Sequence, residues 1–285
     1  MIVCFGSLNQ DLAVRLARLP APDETVLATD AATFRGGKGH NQALAVARLG
    51  APVAMVGSVG DDDAGRWLRD GLASAGVDVA HVRRVEGQRT GTALCLLDST
   101  GQVAIVVVPG ANAALDAVAA DAAAPILSSA SALLLQGEVA VAASLRAASL
   151  ARDGGATVVV NPAPVPEGVA PLLDLADVVV VNRPEAAALG LEPSGRVVMT
   201  LGAEGVAVAG ESIPAFPART VDPTAAGDSF VAALAVALHE GADLVEAARF
   251  GAAAGACTVE VAGAEPSLPT RAAVEARLGA GGGAR

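Results

Sequence analysis

Short, uninterrupted apolar strings recur along this chain at intervals that leave room for about one helix between them, and that rhythm restricts the fold more than any other feature. Residues 1–5, 53–57, 132–135, 157–160, 178–181 and 196–200 are rich in valine, leucine and other apolar residues, with no polar alternation. Strands of that kind are buried on both faces, as in a parallel sheet. Ala-rich stretches of helical periodicity lie between them, among them 64–75 and 141–152. Repetition of strand, helix and strand predicts an α/β fold with a doubly wound, mostly parallel sheet flanked by helices. Two places break the rhythm. The extended candidates 12–16 and 25–28, and again 91–97 and 103–108, have no helix between the members of each pair. They belong in a small separate sheet. The expected organisation is a main domain from 1–11, 34–87 and 109–278, a small β unit from 12–33 and 88–108, and a glycine-rich tail, 279–285, that frays.

Composition narrows the function classes. A chain of 285 residues buries about three quarters of its unfolded surface, enough for one large domain with an appendage. A formal charge of −11 with 2% aromatic residues opposes a phosphate backbone and offers little to stack on bases, so nucleic acid is not an expected partner. No apolar stretch reaches the 18 or so residues that a membrane span needs. Met1 leads straight into a strand without a basic segment, so no signal peptide is expected. Cys4, Cys95 and Cys257 stand far apart among apolar neighbours, which reads as free thiols in a reducing cytoplasm. The three histidines are scattered and match no zinc spacing.

Three runs carry chemistry. In Thr220-Val221-Asp222-Pro223-Thr224-Ala225-Ala226-Gly227-Asp228-Ser229-Phe230, two carboxylates bracket tiny side chains just before an apolar helical stretch, 231–238. Ala225, Ala226 and Gly227 leave backbone amides uncovered where the helix begins, and such a terminus attracts anions. Asp228 beside an anion hole suits a base that deprotonates an attacking hydroxyl, although capping the helix is the simpler role for a lone aspartate there. In the second run, Gly36 and Gly37 deliver Lys38 and Asn41 to the mouth of a helix over 44–49 that Gly50 ends. It is neither a Walker A loop, since Ala32 and Gly39 replace a required Gly and Ser/Thr, nor a dinucleotide fingerprint, since Gln42 replaces the third glycine. The third run ends the first strand with Gly6-Ser7-Leu8-Asn9-Gln10-Asp11. Asn9 and Asp11 form turns there or face a ligand beyond the strand's carboxyl end, where both suit pairs of sugar hydroxyls.

Taken in order, these runs resemble the ribokinase-like carbohydrate kinases, the PfkB family. Asn161-Pro162-Ala163-Pro164, Asn182-x-x-Glu185-Ala186, Thr200-Leu201-Gly202-x-x-Gly205 and Gly263-Ala264-x-Pro266-Ser267 extend the resemblance over nearly the whole chain. It implies a ribokinase-like fold in which the small sheet is a lid over the sugar. The implied reaction is ATP-dependent phosphorylation of a sugar's primary hydroxyl, D-ribose being the expected acceptor. The resemblance makes Asp228 the base and Ala225, Ala226 and Gly227 the anion hole. Asn9, Asp11, Gly37, Lys38, Asn41 and Glu138 would hold the sugar. Asn182, Glu185, Thr200, Gly202, Gly205 and Gly227 would border the nucleotide and Mg²⁺. Asp222, Thr224, Thr258, Val261, Gly263 and Ser267 would form a monovalent cation (K⁺) site, and two lids would pack into a homodimer.

The chain departs from the family pattern in places. His40 follows Gly-Lys-Gly where a small residue is common, and Pro223 stands where Thr is frequent. Residues 183–199 are too few for the usual further helix and strand before Thr200, which implies a trimmed nucleotide side. Gly251-Ala252-Ala253 puts no polar side chain near the expected base pocket. Lys38 has a second reading as an ion-pair partner of Asp11. Glu138 has one as an acid at a helix start, and Asn182 with Glu185 as a helix cap. Other functions compatible with these residues are a fructokinase, deoxyribokinase or nucleoside kinase of the same fold, or a non-catalytic sugar-binding protein. A nicotinamide oxidoreductase is opposed by the failed fingerprint.

Overall fold

The computed structural model describes residues 1–100 and 102–281. Its largest feature is a nine-stranded sheet in the order β13-β12-β11-β10-β9-β8-β1-β4-β5. The central strands are the apolar strings of the sequence: β1 (Ile2–Phe5), β4 (Val53–Gly60), β8 (Ala132–Gln136), β9 (Thr157–Asn161), β10 (Val178–Asn182) and β11 (Val197–Thr200). All of these pair in parallel. Valine-rich strands suit a surface covered on both sides, because their branched side chains pack well on the pleat. Separate apolar clusters do cover the two faces. The edges differ from the reading of the sequence. β5 (Val82–Val85) adds in parallel beyond β4, while β12 (Val206–Val208) and β13 (Glu211–Ile213) add antiparallel to β11. These edge strands are too short for periodicity to announce them.

One edge of this sheet is polar. β8, β9, β10 and β11 end on Gln136, Asn161, Asn182 and Thr200, and the register pairs Gln136 with Asn161 and Asn182 with Thr200. Carboxyl ends of parallel strands are where ligands bind in open α/β sheets. Helices α1 (Lys38–Arg48), α2 (Asp63–Ser74), α3 (Ala117–Ala122), α4 (Ala124–Ser128), α5 (Val141–Asp153), α6 (Ala170–Leu175), α7 (Arg183–Leu189), α8 (Ala226–His239), α9 (Leu244–Thr258), α10 (Ala264–Ser267) and α11 (Arg271–Gly281) complete the body. α8 is buried along most of its length and packs on α9. Gly251 makes that packing close, since a β-carbon there would stand 2.9 Å from the Phe230 carbonyl. α11 holds residues 279–281 of the expected fraying tail in a helix, and 282–285 lie outside the described residues.

The second sheet has four strands in the order β3-β2-β6-β7. β2 (Asn9–Leu16), β6 (Gly91–Asp98) and β7 (Val103–Val108) cover the expected segments. The short strand expected at 25–28 is instead β3, Ala28–Gly36, with Leu27 just before it 89% exposed. Its Ala- and Thr-rich sequence has no apolar alternation to mark it. β2 therefore starts at Asn9 and β3 ends at Gly36, which puts Asn9 and Asp11 on the small sheet's own strands. Ile105, Val106, Val107 and Val108 of the edge strand β7 are all exposed. Among the described residues, no helix is long and apolar enough to cross a membrane.

Candidate active site

Asp228 lies in the first turn of α8 and is only 5% exposed. Burying a carboxylate is costly unless donors meet it. Asn41 Nδ2 donates to one of its oxygens at 2.9 Å, and Gln42 Nε2 to the other at 3.1 Å. Gln136 Nε2 in turn donates to Gln42 Oε1 at 2.8 Å. Gln42, noted in the sequence only for breaking a glycine fingerprint, and Gln136 behind it thus fix the carboxylate. No helix cap is made by Asp228, for the N-cap is Ala225, in the left-handed conformation with φ 61°.

The amides before it divide. Ala226 N donates to the Pro223 carbonyl at 3.2 Å, which removes it from the set of free donors expected at this helix start. The Gly227 amide meets no protein acceptor among the described residues, as the first turn of a helix requires. A β-carbon on Gly227 would find nothing within 4 Å, so the space above it is open.

Two cavities meet at that point. One, of about 230 Å³, is lined by Lys38, Asn182, Glu185, Ala225, Gly227 and Asp228. The other, of about 590 Å³, is lined by Thr200, Gly202, Gly205, Phe216, Gly227 and Ala256, with further small residues. Thr200, Pro223 and Gly227 belong to both walls. Lys38 thus shares a wall with Asn182, Glu185 and the expected base Asp228. Asp228, with Glu138 and Glu185 behind it, raises the Lys38 pKa against the effect of burial, and the lysine is held charged. Among the described residues no ion pair joins Lys38 to Asp11.

Asn182 and Glu185 form a reciprocal capping box at the start of α7, with Glu185 N donating to Asn182 Oδ1 and Asn182 N to Glu185 Oε2, both at 2.9 Å. The seven residues of α7 lead directly into the loop before β11, so residues 183–199 hold one short helix and this strand. Near the larger cavity, Ala252 lines the wall, while Gly251 and Ala253 are buried behind it.

The remaining expected residues gather at the junction of the two sheets. Asn9 is buried and its Oδ1 accepts from Asn112 Nδ2 at 2.8 Å. Asn112, unremarked in the sequence, also receives the Leu8 amide at 2.9 Å. Glu138 accepts from the Ser7 hydroxyl and, at 3.1 Å, from the Lys38 amide, so its carboxylate closes the start of α1. Gly37 has φ 88°, and a β-carbon there would stand 2.8 Å from Asn9 N. Gly36 leaves room for Asp11, whose Oδ2 would lie 2.0 Å from a β-carbon. Burial, with Glu138 and Asp228 nearby, pushes the Asp11 carboxyl up to about 7. Asp11 Oδ1 and Asn41 Oδ1 are buried with no hydrogen-bond partner. Orphaned acceptors of that kind cost free energy and await donors.

Asp222 organises the loop before α8. Its Oδ1 accepts from Thr224 N at 2.9 Å and its Oδ2 from Gly263 N at 2.8 Å. Burial would raise its pKa, but these bonds, a Thr224 side-chain bond and the charge of Arg15 lower it. The Thr258 hydroxyl faces Ser229 Oγ at 2.7 Å and the Ser267 hydroxyl donates to Ala264 O at 2.8 Å, so both are spent locally. The Thr258 carbonyl receives Val261 N at 3.2 Å, and Val261 itself is exposed. Among the described residues, no three His, Cys, Asp or Glu side chains gather as a metal-ligand cluster.

Comparison with known proteins gives the family and the fold. Residues 1–271 match the model of the pfkB family carbohydrate kinases. The chain is 37% identical to the ribokinase of Bacillus subtilis, covering 97% of this chain and 99% of that one. It is 34% identical to the ribokinase of Haemophilus influenzae, over 95% of each. Its fold superposes on Arabidopsis thaliana ribokinase complexed with ribose and ATP with a TM-score of 0.87 at 34% identity, over 97% of this chain and 98% of the other. The chain belongs to the pfkB family of carbohydrate kinases.

Proposed function

We propose that this protein transfers the γ-phosphate of ATP to the primary hydroxyl of D-ribose, giving ribose 5-phosphate and ADP. The observation that carries the reading is Asp228: a buried carboxylate, oriented by Asn41 and Gln42, at an open helix start where two cavities meet. The larger cavity has the size for a nucleotide, with its phosphates running past Gly227. The orphaned oxygens of Asp11 and Asn41 suit hydroxyl donors of the sugar, as Asn9 and Gly37 shape that side. The proton of the attacking hydroxyl goes to an Asp228 oxygen while the new O–P bond forms and the bond to the ADP oxygen breaks. Charge on the transferring phosphoryl meets the Gly227 amide and the Lys38 ammonium. Glu138 Oε2 orders Ser7 and the start of α1, which leaves Oε1 for a sugar hydroxyl.

Two ions fit the donors present. Glu185 and Asp228 border one cavity, and Mg²⁺, which keeps waters and phosphate oxygens, needs only one or two such carboxylates. It would neutralise phosphate charge that an acidic protein otherwise repels. Asp222 with the backbone oxygens around Thr258, Val261 and Gly263 suits a monovalent cation such as K⁺, which would shape the loop carrying Ala225 and Gly227. Thr224 supplies its amide to that loop, and Ser267 closes α10. A second copy would cover the apolar β7 edge to make a homodimer through the lid, since an exposed apolar edge strand invites pairing; a monomer in light scattering would count against it. Three free cysteines and the use of ATP fit a cytoplasmic site of action.

The test is a phosphorylation screen of D-ribose, D-fructose, 2-deoxyribose and nucleosides with ATP and Mg²⁺ in sodium, potassium and caesium salts. Ribose is expected to give the highest kcat/KM, with potassium stimulating. Preference for fructose or a nucleoside would reassign the acceptor, and indifference to the salt would remove the cation site.

A further inference from the structure

Arg35 is placed where nothing in the proposed chemistry needs a cation. It is the penultimate residue of β3, beside the junction through which the small sheet runs into α1. Its side chain leaves the small sheet. Nε donates to the Trp67 carbonyl of α2 at 3.0 Å, and the guanidinium carbon lies 4.6 Å from the Trp67 ring centre. Nη1 reaches both oxygens of Glu265 in α10, at 3.2 and 3.4 Å. α2 keeps a slot open for this group at Gly71, where a β-carbon would stand 2.5 Å from Arg35 Nε. Both sequence neighbours of Arg35 touch the sugar side: Phe34 pairs with Asp11 across the sheet, and Gly36 lies against the Asp11 carboxylate. At the other end of α1, Arg48 donates to the carbonyls of Glu265 and Leu268 at 2.7 and 2.8 Å. The helix that carries Lys38, Asn41 and Gln42 is thus strapped to α10 from both ends.

We propose that Arg35 is a positioning residue for sugar capture: by gripping α2 and α10 together it holds the β3–α1 junction, and with it Asp11 and Asn41, in the binding geometry before the sugar arrives. The inference rests on the kinase reading of the site. A half-buried ion pair alone contributes little. Arginine's planar fork, stacked on an indole and bonded on two sides, is what fixes a direction. Without it the junction samples other arrangements, and apparent sugar affinity falls by the fraction of time it spends in the competent one. Once bound, the sugar restores the geometry, so turnover is spared.

Arg35→Met keeps the aliphatic stem and loses the fork. Its KM for ribose is expected to rise about tenfold, with kcat and the KM for ATP within about threefold of wild type. Gly71→Ala fills the slot and displaces the guanidinium, yet alanine is the better helix former. That variant is expected to melt no lower than wild type while its ribose KM rises, an opposition that a merely structural arginine would not produce. Arg35→Lys, which keeps the charge without the fork, should fall between. Hydrogen exchange on the ligand-free proteins supplies a readout independent of activity: amides 36–41 should exchange faster in Arg35→Met, and those of α5 should not. Unchanged exchange at 36–41, or an unchanged ribose KM in both variants of an enzyme that turns ribose over, overturns the proposal. If the wild type phosphorylates no sugar, the kinase reading fails instead, and exchange at 36–41 alone decides whether Arg35 holds the junction.

Discussion

The two sides of Asp228 are built from different materials. Towards the small sheet the site is made of polar side chains held by one another: Asn112 on Asn9, Gln136 on Gln42, Asn41 and Gln42 on Asp228. Away from it, the larger cavity is walled by glycine, alanine, valine and phenylalanine, with Thr200 and Thr220 contributing hydroxyls. A site of positioned hydrogen-bonding groups rejects a ligand that leaves them unpaired, because each buried orphan is costly. A smooth wall cannot do so. Discrimination in this protein should therefore reside in the acceptor, and the nucleotide should be held by shape and backbone.

The sharpest way to break that contrast is Asp228→Asn. The amide keeps the size of the carboxylate but takes no proton, so turnover should fall at least about a hundredfold while nucleotide binding, measured by calorimetry, stays within a few-fold of wild type. Comparable losses on both sides would mean that the two cavities are not separable. Full turnover would remove Asp228 from the chemistry.

Asp11 supplies the next largest effect, and it depends on pH. Its carboxyl stands at about 7 in the folded protein against an ordinary 3.8, chiefly through burial. The folded state therefore holds a proton that the unfolded chain has released, and stability is lost as pH rises from the ordinary value through the folded one. Asp11→Asn removes that loss, so at pH 8 the sugar-free variant should melt about 2–4 °C above wild type. Sugar binding runs the other way, since two hydroxyl donors favour the ionised acceptor. The wild-type KM for ribose should fall about tenfold between pH 6 and pH 8, and the Asn variant should bind weakly at every pH. A pH-independent KM would show that Asp11 does not accept from the sugar.

The same contrast explains what could be read from sequence. The central strands were legible because valine and leucine runs have few alternatives, and the Asp228 corner because tiny residues before a helix expose backbone. Gln42 was not, since a glutamine in a helix looks like any solvated one until a carboxylate 186 positions later folds onto it. Asn112 and Gln136 escaped for that reason too: their roles exist only in long-range contacts. β3 lies later than the expected 25–28 because its alanines and threonines carry no period. The Ala226 amide reads as free in sequence because a turn back to Pro223 leaves no mark in composition.

The smallest effects are expected on the nucleotide side, and they sharpen the comparison. Gly255 lies in α9 on the cavity wall, and a β-carbon there would rest 3.6 Å from the Ala226 carbonyl, an ordinary contact. Gly255→Ala should thus fold, gain about 1 kcal/mol of helix stability, and raise the KM for ATP by less than about fivefold, leaving the KM for ribose unchanged. GTP should replace ATP with kcat/KM within about tenfold, the scale of discrimination that a pocket without matched polar groups reaches. The acceptor side should separate ribose from its 2-deoxy analogue by more than that, because the missing hydroxyl leaves a buried oxygen without its donor. If kinetic competition showed the nucleotide base selected more strictly than the sugar, backbone groups of the smooth wall would be reading it, and the division between the two sides of Asp228 would be one of means rather than of selectivity.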